Sequence, residues 1–255
     1  NGSEEFIHML FKQGRMHPEI SSFSNEIFYE KKLKPIPLKH QLEILHCPSY
    51  DKSDGLQNLI ASHRLAFIVS KGDKNPISDK TNKDEAIRIS ALLKTIYTIN
   101  KNNFNPQTVG VIVPYRNQIA LIRKEIKQLN IPALSDITID TVERYQGSER
   151  DFIIYGFTVQ KIYQLEFLTG NVFKDNGQTI DRKLNVVLTR ARKQLFLIGN
   201  PQILSYNIIF QKLIKFIDNR QGVCDIPTEY FIQGKFSCSP ADKTSVPDSR
   251  QKLNV

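Results

Sequence analysis

VGVIVPYRNQIALIRKEIKQLNIP, residues 109–132, sets the fold class of this chain. Its first five residues are apolar or small on both faces, the composition of a buried parallel strand. Beyond Pro114, the residues Ile119, Ile122, Ile126 and Leu129 recur at helical spacing, and Pro132, whose ring cannot continue a helix, marks the stop. The same strand and helix alternation recurs on either side. LAFIV at 65–69, ITI at 137–139, FIIYGF at 152–157 and LFLIG at 195–199 are further short runs of strand character. Residues 82–97 open with Asn82 as an N-cap and Glu85 three positions on, followed by Ala86, Ile89, Leu92, Leu93 and Ile96. This is a capping box at the head of an amphipathic helix. A third helix is expected from about Asp181 to Lys193. The pattern predicts an α/β domain with a mostly parallel sheet flanked by helices, in which ligands gather at the strands' carboxyl ends.

With 255 residues, 40% of them hydrophobic, the chain can bury a full core. Its 35 Lys and Arg against 26 Asp and Glu leave a net charge of +9, which makes a polyanion the first partner to consider. No stretch approaches the ~18 consecutive apolar residues of a spanning helix, and the amino terminus lacks the order of a signal peptide. The expected setting is intracellular and soluble, cytoplasmic or, in a eukaryote, nuclear, with no membrane partner. Cys47, Cys224 and Cys238 form no C-x-x-C pair, which argues against zinc or a disulfide framework. Residues 1–221 are expected to form one domain, less periodic over about 31–62, where Pro35, Pro37 and Pro48 fall. From Gly222 the apolar pattern fades, so 222–255 reads as a flexible extension.

Four clusters carry chemistry. The first begins QGRMHPEISSFSN at Gln13, with Arg15 just before His17 and Pro18 and a helix expected to start near Pro18. The second is VGVIVPYRNQ, a strand whose carboxyl end delivers Pro114, Tyr115 and Arg116. The third is ITIDTVERYQGSERDFII, two strands joined by a loop holding Gln146, Gly147 and Glu149. The fourth is DRKLNVVLTRARKQLFLIGN, read as a helix carrying Arg190 and Arg192 ahead of a strand.

In that order, RMHP at 15–18, PYRNQ at 114–118, QGSERD at 146–151 and LNVVLTRAR at 184–192 resemble the successive motifs of the second RecA-like motor domain of superfamily 1 helicases, in the branch of the nonsense-mediated-decay RNA helicase and senataxin. The resemblance covers residues from about 8 to 215. It implies a RecA-like P-loop NTPase fold without its own P-loop, and a role as the C-terminal motor domain of an ATP-dependent nucleic-acid helicase or translocase. By resemblance, Arg15 and Arg190 meet the γ-phosphate as arginine fingers, Glu149 approaches the ribose, Gly147 lets the loop pass close to the nucleotide, and Gln13 touches the base. Tyr115, Arg116, Asn117 and Thr141 are the candidate contacts to a single strand of DNA or RNA. The implied ligands are ATP and Mg2+, bound mainly by a first RecA-like domain of the same protein, and a monomer is the expected state.

Ordinary readings stand beside these. A lone Arg on a basic protein is usually solvated, and the charges at 143–151 equally suit a surface ion-pair network. Arg192 lies about 200° from Arg190 on a helix and cannot share its face. His17 is expected to cap or pack at its turn, and the lysines at 31–34 and 71–74 to be solvated. Two departures count. Gly14 stands where related helicases usually carry a Tyr that stacks on the adenine, which predicts weaker base selectivity. Nothing matches G-x-x-x-x-G-K-[ST], and Asp84-Glu85, the nearest acidic pair, falls in the first turn of a helix. The fragment alone is therefore expected not to hydrolyse ATP. A non-catalytic binding module that keeps the fold is the alternative, and a dinucleotide-binding enzyme is disfavoured because no G-x-G-x-x-G follows a strand.

Overall fold

Every apolar run that reads as a strand forms one, and all of them lie in one parallel sheet. The computed structural model describes residues 11–45, 50–73, 76–145, 147–170, 172–175 and 178–233. The first part of the chain forms β1 (Lys12–Gln13), α1 (Pro18–Phe28), β2 (Lys34–Pro35), α2 (Lys39–Leu42), α3 (Gly55–Ser62), β3 (Leu65–Val69) and α4 (Lys83–Ile99). Then come β4 (Val109–Val113), α5 (Arg116–Gln128), β5 (Thr138–Thr141), β6 (Arg150–Gly156), α6 (Leu165–Thr169), β7 (Val172–Asp175) and β8 (Gln178–Asp181). The last are α7 (Arg182–Leu188), β9 (Ala191–Gly199), α8 (Pro201–Leu204), α9 (Ile208–Asp218), β10 (Val223–Cys224) and α10 (Thr228–Gln233).

Six parallel strands run in the order β10-β3-β9-β6-β4-β5, with β7 and β8 forming a separate antiparallel ribbon. Strand periodicity splits the core in two. Leu65, Phe67, Val69, Ile153, Tyr155, Leu195 and Leu197 pack toward α1, α7 and α9, while Ala66, Ile68, Val109, Val111, Ile154, Phe196 and Ile198 pack toward α3, α4 and α5. Helices on both faces follow from strands that are apolar on both faces. In α9 the buried Ile209, Phe210, Leu213, Ile214 and Ile217 form one stripe, and each contributes about 2 kcal/mol by burial. Gly110 in the middle of β4 has no substitute: a Cβ there would stand 1.7 Å from the Tyr145 hydroxyl oxygen.

The structure departs from expectation in four places. The helix expected to reach Lys193 stops at Leu188, and β9 begins at Ala191. The reason is the sheet: Ala191 pairs with Arg150, and a central strand flanked by β3 and β6 takes residues that local periodicity assigns to a helix. The segment 31–62 is not irregular throughout. Asp54 caps α3 by accepting from the Leu56 and Gln57 amides, and Leu56, Leu59 and Ile60 are buried. The boundary at 221/222 does not separate domains, because β10 pairs with β3 and Ile226 and Phe231 are buried in the same core. The rest of the expected extension, 234–255, lies outside the described residues, as do Cys47 and Cys238, while Cys224 is buried on β10. Finally, only half of the capping box forms. Asn82 accepts from the Glu85 amide at 3.1 Å, but the Asn82 amide donates to Gln118 Oε1 at 2.8 Å, and the Glu85 side chain turns into the protein.

Candidate functional site

Arg15 is presented by a loop whose polar groups are used up in holding it. Gln13 Oε1 accepts from the amides of Arg15 at 3.0 Å and Met16 at 2.8 Å, and its Nε2 donates to the Met16 carbonyl at 2.9 Å. Gln41 Nε2 donates to the carbonyls of Gln13 and Met16, and a ring nitrogen of His40 meets the Arg15 carbonyl at 2.8 Å. His17 then caps α1: its Nδ1 accepts from the Glu19 amide at 3.2 Å, and burial lowers its pKa, which favours the neutral ring that an acceptor requires. The His17 amide donates to the Arg192 carbonyl, tying the loop to β9.

The Arg15 guanidinium points away from this loop. Its Nε donates to Glu149 Oε2 at 2.8 Å and its Nη1 to the Thr189 carbonyl at 3.3 Å. Arg190, just past α7, is buried with partners of a different kind. Nε donates to the Val186 carbonyl at 2.9 Å, Nη2 to Thr189 Oγ1 at 3.1 Å and Nη1 to the Ser148 carbonyl at 3.5 Å. Burial lowers the Arg190 pKa first and the Arg15 charge second, with Glu149 opposing. Guanidinium nonetheless remains charged at neutral pH. Gln13, Gly14, Arg15, Glu149 and Arg190 line one open cleft of about 580 Å³, with Tyr29 and Leu33 on its apolar wall. Residues from near both ends of the domain thus share a crevice lined by three cations, Lys12, Arg15 and Arg190, and one carboxylate.

Each expected residue has a definite place. Gln13 lines the cleft, but the observed bonds of its amide all go to its own loop, so its role is to shape that loop. Gly147 adopts φ +88°, and among the described residues beyond its chain neighbours no atom lies within 4 Å of where a Cβ would stand, so glycine is demanded by the turn. Gln146 lies outside the described residues. Arg192 sits on β9, not on a helix, and its Nε donates to Asp151 Oδ1 at 2.8 Å. An ion-pair network exists with other members than expected: Glu149 and Asp151 join Arg15, Arg192, Lys193 and Glu43, whereas Glu143 pairs with Lys183, Arg144 with Asp140, and Arg150 is in no ion pair among the described residues.

The carboxyl end of the sheet divides the nucleic-acid candidates. Arg116 and Asn117 are exposed on the first turn of α5. Tyr115 is only 9% exposed, its ring stacked against Phe167 at 4.8 Å, so it does not present the free face expected of it. Thr141 is likewise buried, with its hydroxyl engaged by Glu143. Sequence reading missed Gln41 and His40, which fix the Arg15 loop, because they lie in a Pro-rich stretch without periodicity. It also missed Glu85 as a core residue. Fully buried, Glu85 accepts from the Thr158 amide at 2.8 Å and from Ser70 Oγ at 3.3 Å, and burial pushes its carboxyl up to about 8.

Among the described residues no three His, Cys, Asp or Glu side chains stand close enough to hold a metal ion, and no helix is long and apolar enough to cross a membrane. Comparison with known proteins places the chain. It is 28% identical over 218 residues to an uncharacterized ATP-dependent helicase of Methanocaldococcus jannaschii, covering 83% of this chain and 29% of that protein. The human DNA replication ATP-dependent helicase/nuclease DNA2 is 25% identical over 238 residues, 87% of this chain and 21% of its own length. The Drosophila melanogaster regulator of nonsense transcripts 1 homolog is 26% identical over 216 residues, 82% of this chain and 16% of its length. The chain thus spans less than a third of the length of each of these relatives. A solved C-terminal domain of a possible DNA helicase from Lactobacillus plantarum covers 74% of this chain and 88% of its own at 12% identity and a TM-score of 0.38. The family model described as an AAA domain matches residues 1–202, and the chain belongs to that family as a domain of the helicase type.

Proposed function

We propose that this chain is the C-terminal motor domain of an ATP-dependent nucleic-acid helicase or translocase, supplying Arg15 and Arg190 to the γ-phosphate of ATP at an interface with a preceding RecA-like domain. The observation that carries the reading is Arg190. It is a buried guanidinium in an open cleft, hydrogen-bonded to carbonyl and hydroxyl oxygens, with no carboxylate within ion-pair distance among the described residues. A cation so placed favours an anion that arrives from outside.

Arg15 complements it. In this structure its Nε is held by Glu149, and a phosphate oxygen entering the cleft competes for the same donor. Glu149, released, is then free for the ribose. Because Arg15 and Arg190 repel, each is most stabilised when negative charge develops between them, which is the charge change of phosphoryl transfer. The donor set does not fit a magnesium ion, since among the described lining residues Glu149 is a single carboxylate surrounded by Lys12, Arg15 and Arg190. Phosphate-loop and metal chemistry belong, in this proposal, to the preceding domain, and the isolated chain does not turn over ATP. Cleft closure and reopening would move a single strand held across the carboxyl ends of the strands.

The test is ATP turnover by the full-length protein. Arg190→Ala is expected to lower kcat by roughly 10³-fold, the lower end of what an arginine finger contributes. Wild-type turnover by that variant would overturn the reading, as would hydrolysis by the purified 255-residue chain that Arg190→Ala abolishes.

A further inference from the structure

Beside the carboxyl ends of β4 and β6, the helical segment 162–169 turns an apolar face outward. Leu165 and Leu168 are buried in the core, whereas Ile162, Tyr163 and Phe167 stand 51%, 57% and 45% exposed. Tyr163 and Phe167 are four residues apart and so lie on one side of the helix. Apolar side chains grouped on a solvent face mark a contact surface more often than scattered ones do.

Both rings are fixed in place. The Tyr163 hydroxyl donates to Asp79, and Lys161 Nζ lies 5.9 Å from the ring centre. Phe167 rests on Tyr115 with 24° between the planes, and Lys183 Nζ, 4.1 Å from the Phe167 ring centre, donates to the Phe167 carbonyl at 3.0 Å. Tyr115 and Lys183 thus cover the two faces of Phe167, so Tyr163 offers the accessible π-face, and Phe167 adds an exposed edge beside it. Rings already held lose little freedom when a ligand stacks on them.

The rim is cationic. Lys71, Lys80, Lys83, Lys161 and Arg116 are exposed at this end of the sheet. The loops carrying them are laced together, with Gln160 Nε2 donating to the Thr81 carbonyl at 2.6 Å and Gln164 Nε2 donating to the Asp79 carbonyl. The carboxylates nearby are Asp79, paired with Lys161, Glu143, paired with Lys183 at 3.2 Å, the half-buried Asp73, whose amide donates to Gln160, and the exposed Glu166, fewer than the cations. Positive charge is in excess around flat aromatic faces, a combination that fits bases and phosphates together. A purely apolar partner would leave those lysines desolvated.

We propose that Tyr163 is a stacking platform for a base of a single-stranded nucleic acid, with the Phe167 edge bordering it and Lys161 and Arg116 beside it for the phosphates. The proposal rests on the nucleic-acid reading of this domain and assigns it a residue that no motif named.

The test uses the 255-residue chain and an oligothymidine carrying one 2-aminopurine, whose emission is quenched on stacking; the chain has no Trp to interfere. Wild type is expected to bind with quenching. Tyr163→Ala is expected to weaken binding about five- to tenfold. The slope of affinity against salt should be unchanged, because no phosphate contact is lost. Tyr163→Leu keeps apolar bulk without a π-face and should behave like the Ala variant. Binding by wild type that neither variant weakens would overturn the platform while leaving the nucleic-acid reading intact. Full affinity in the Leu variant would show apolar packing in place of stacking and also overturn it. Failure of wild type to bind any single strand, DNA or RNA, would overturn both.

Discussion

Glu85→Gln should remove a pH dependence that the fold imposes on itself. Glu85 lies in the first turn of α4, fully buried, with the Thr158 amide at 2.8 Å, Ser70 Oγ at 3.3 Å and Asn82 Nδ2 at 3.4 Å. Burial raises its pKa from the ordinary 4.5 to about 8, with Asp84 adding to the rise and Thr158, Ser70 and Arg88 opposing it. Across that window the folded chain keeps a proton that the unfolded chain has released, so stability is highest below 4.5, falls as pH rises, and levels off above about 8. At about 1.4 kcal/mol per pH unit the loss approaches ~3 kcal/mol at pH 7 and roughly 5 kcal/mol at the top of the window, both upper figures because water penetration screens the group. Gln keeps a carbonyl for the Thr158 amide and cannot titrate. Urea midpoints of wild type and variant, taken at intervals from about pH 5 to about pH 9, isolate this group from every other carboxylate. The variant should match wild type within about 1 kcal/mol at the acid end and exceed it by several at the alkaline end. A difference that stays flat with pH, or one in which wild type gains on the variant as pH rises, would show an ionised Glu85 and refute the reasoning.

Gly110→Ala should destabilise the chain by about 3 kcal/mol or more, since its methyl group would overlap the Tyr145 hydroxyl, and the added change Tyr145→Phe should recover part of the loss. A urea midpoint for Gly110→Ala close to wild type would contradict the packing. In the full-length protein, Arg15→Ala and Arg190→Ala should each slow ATP turnover strongly, and the double variant should be little slower than either alone, because residues that act on one charge are not additive. Multiplicative losses would separate their roles. With Gly14 in place of an aromatic residue, and among the described residues only the Leu38 and Ile36 side chains near where its Cβ would lie, competition between ATP and GTP should show less than about a tenfold preference. A preference for ATP above about a hundredfold would mean that another group, such as Tyr29 on the cleft wall, reads the base.

The centre of the sheet was legible because β3, β4, β6 and β9 carry runs that are apolar on both faces, a pattern that no amphipathic helix produces, and the edge strand β5 showed itself by alternation. The opposite edge was not legible. Val223 and Cys224 make a two-residue strand too short to show a period, and only pairing with Phe67 and Ile68 on β3 defines it. The end of α7 was misread for a related reason: Arg190, Ala191 and Arg192 suit a helix locally, and the ladder with β6 overrides that preference. At the site, motif order brought Arg15, Glu149 and Arg190 to mind together, and the fold puts them in one cleft. What motif order could not supply was the burial of Tyr115 beneath Phe167, or the diversion of Glu85 from its cap, since both depend on segments far away in sequence.

Comparison with other buried arginines shows why the cleft asks for a ligand. Arg150, as buried as Arg190 and also without an ion pair among the described residues, lies over the Tyr145 ring, donates to the Glu149 carbonyl and the Thr138 hydroxyl, and does not line the cleft. Arg88 has no exposed surface, yet its charge is answered within the chain: Nε meets Asp84 at 2.9 Å, Nη1 the Ile226 carbonyl at 2.7 Å and Nη2 Thr228 Oγ1 at 3.0 Å. A phenyl ring, Phe231, covers it at 4.5 Å. Arg64 has Glu19 at 3.5 Å and the carbonyls of Lys193 and Glu43. Arg88 and Arg64 both pin distant segments together, and each has a carboxylate within ion-pair distance. Arg190 is buried to a similar degree as these structural arginines, but its partners are two carbonyls and a hydroxyl, its nearest strong field is the repulsive Arg15, and the carboxylate beside it is spent on that same Arg15. A guanidinium without a counter-charge is costly to bury, and a fold that needed only a tether at this point could use an apolar side chain of similar volume. The arrangement is therefore better explained by an anion that completes it than by the stability of the domain alone.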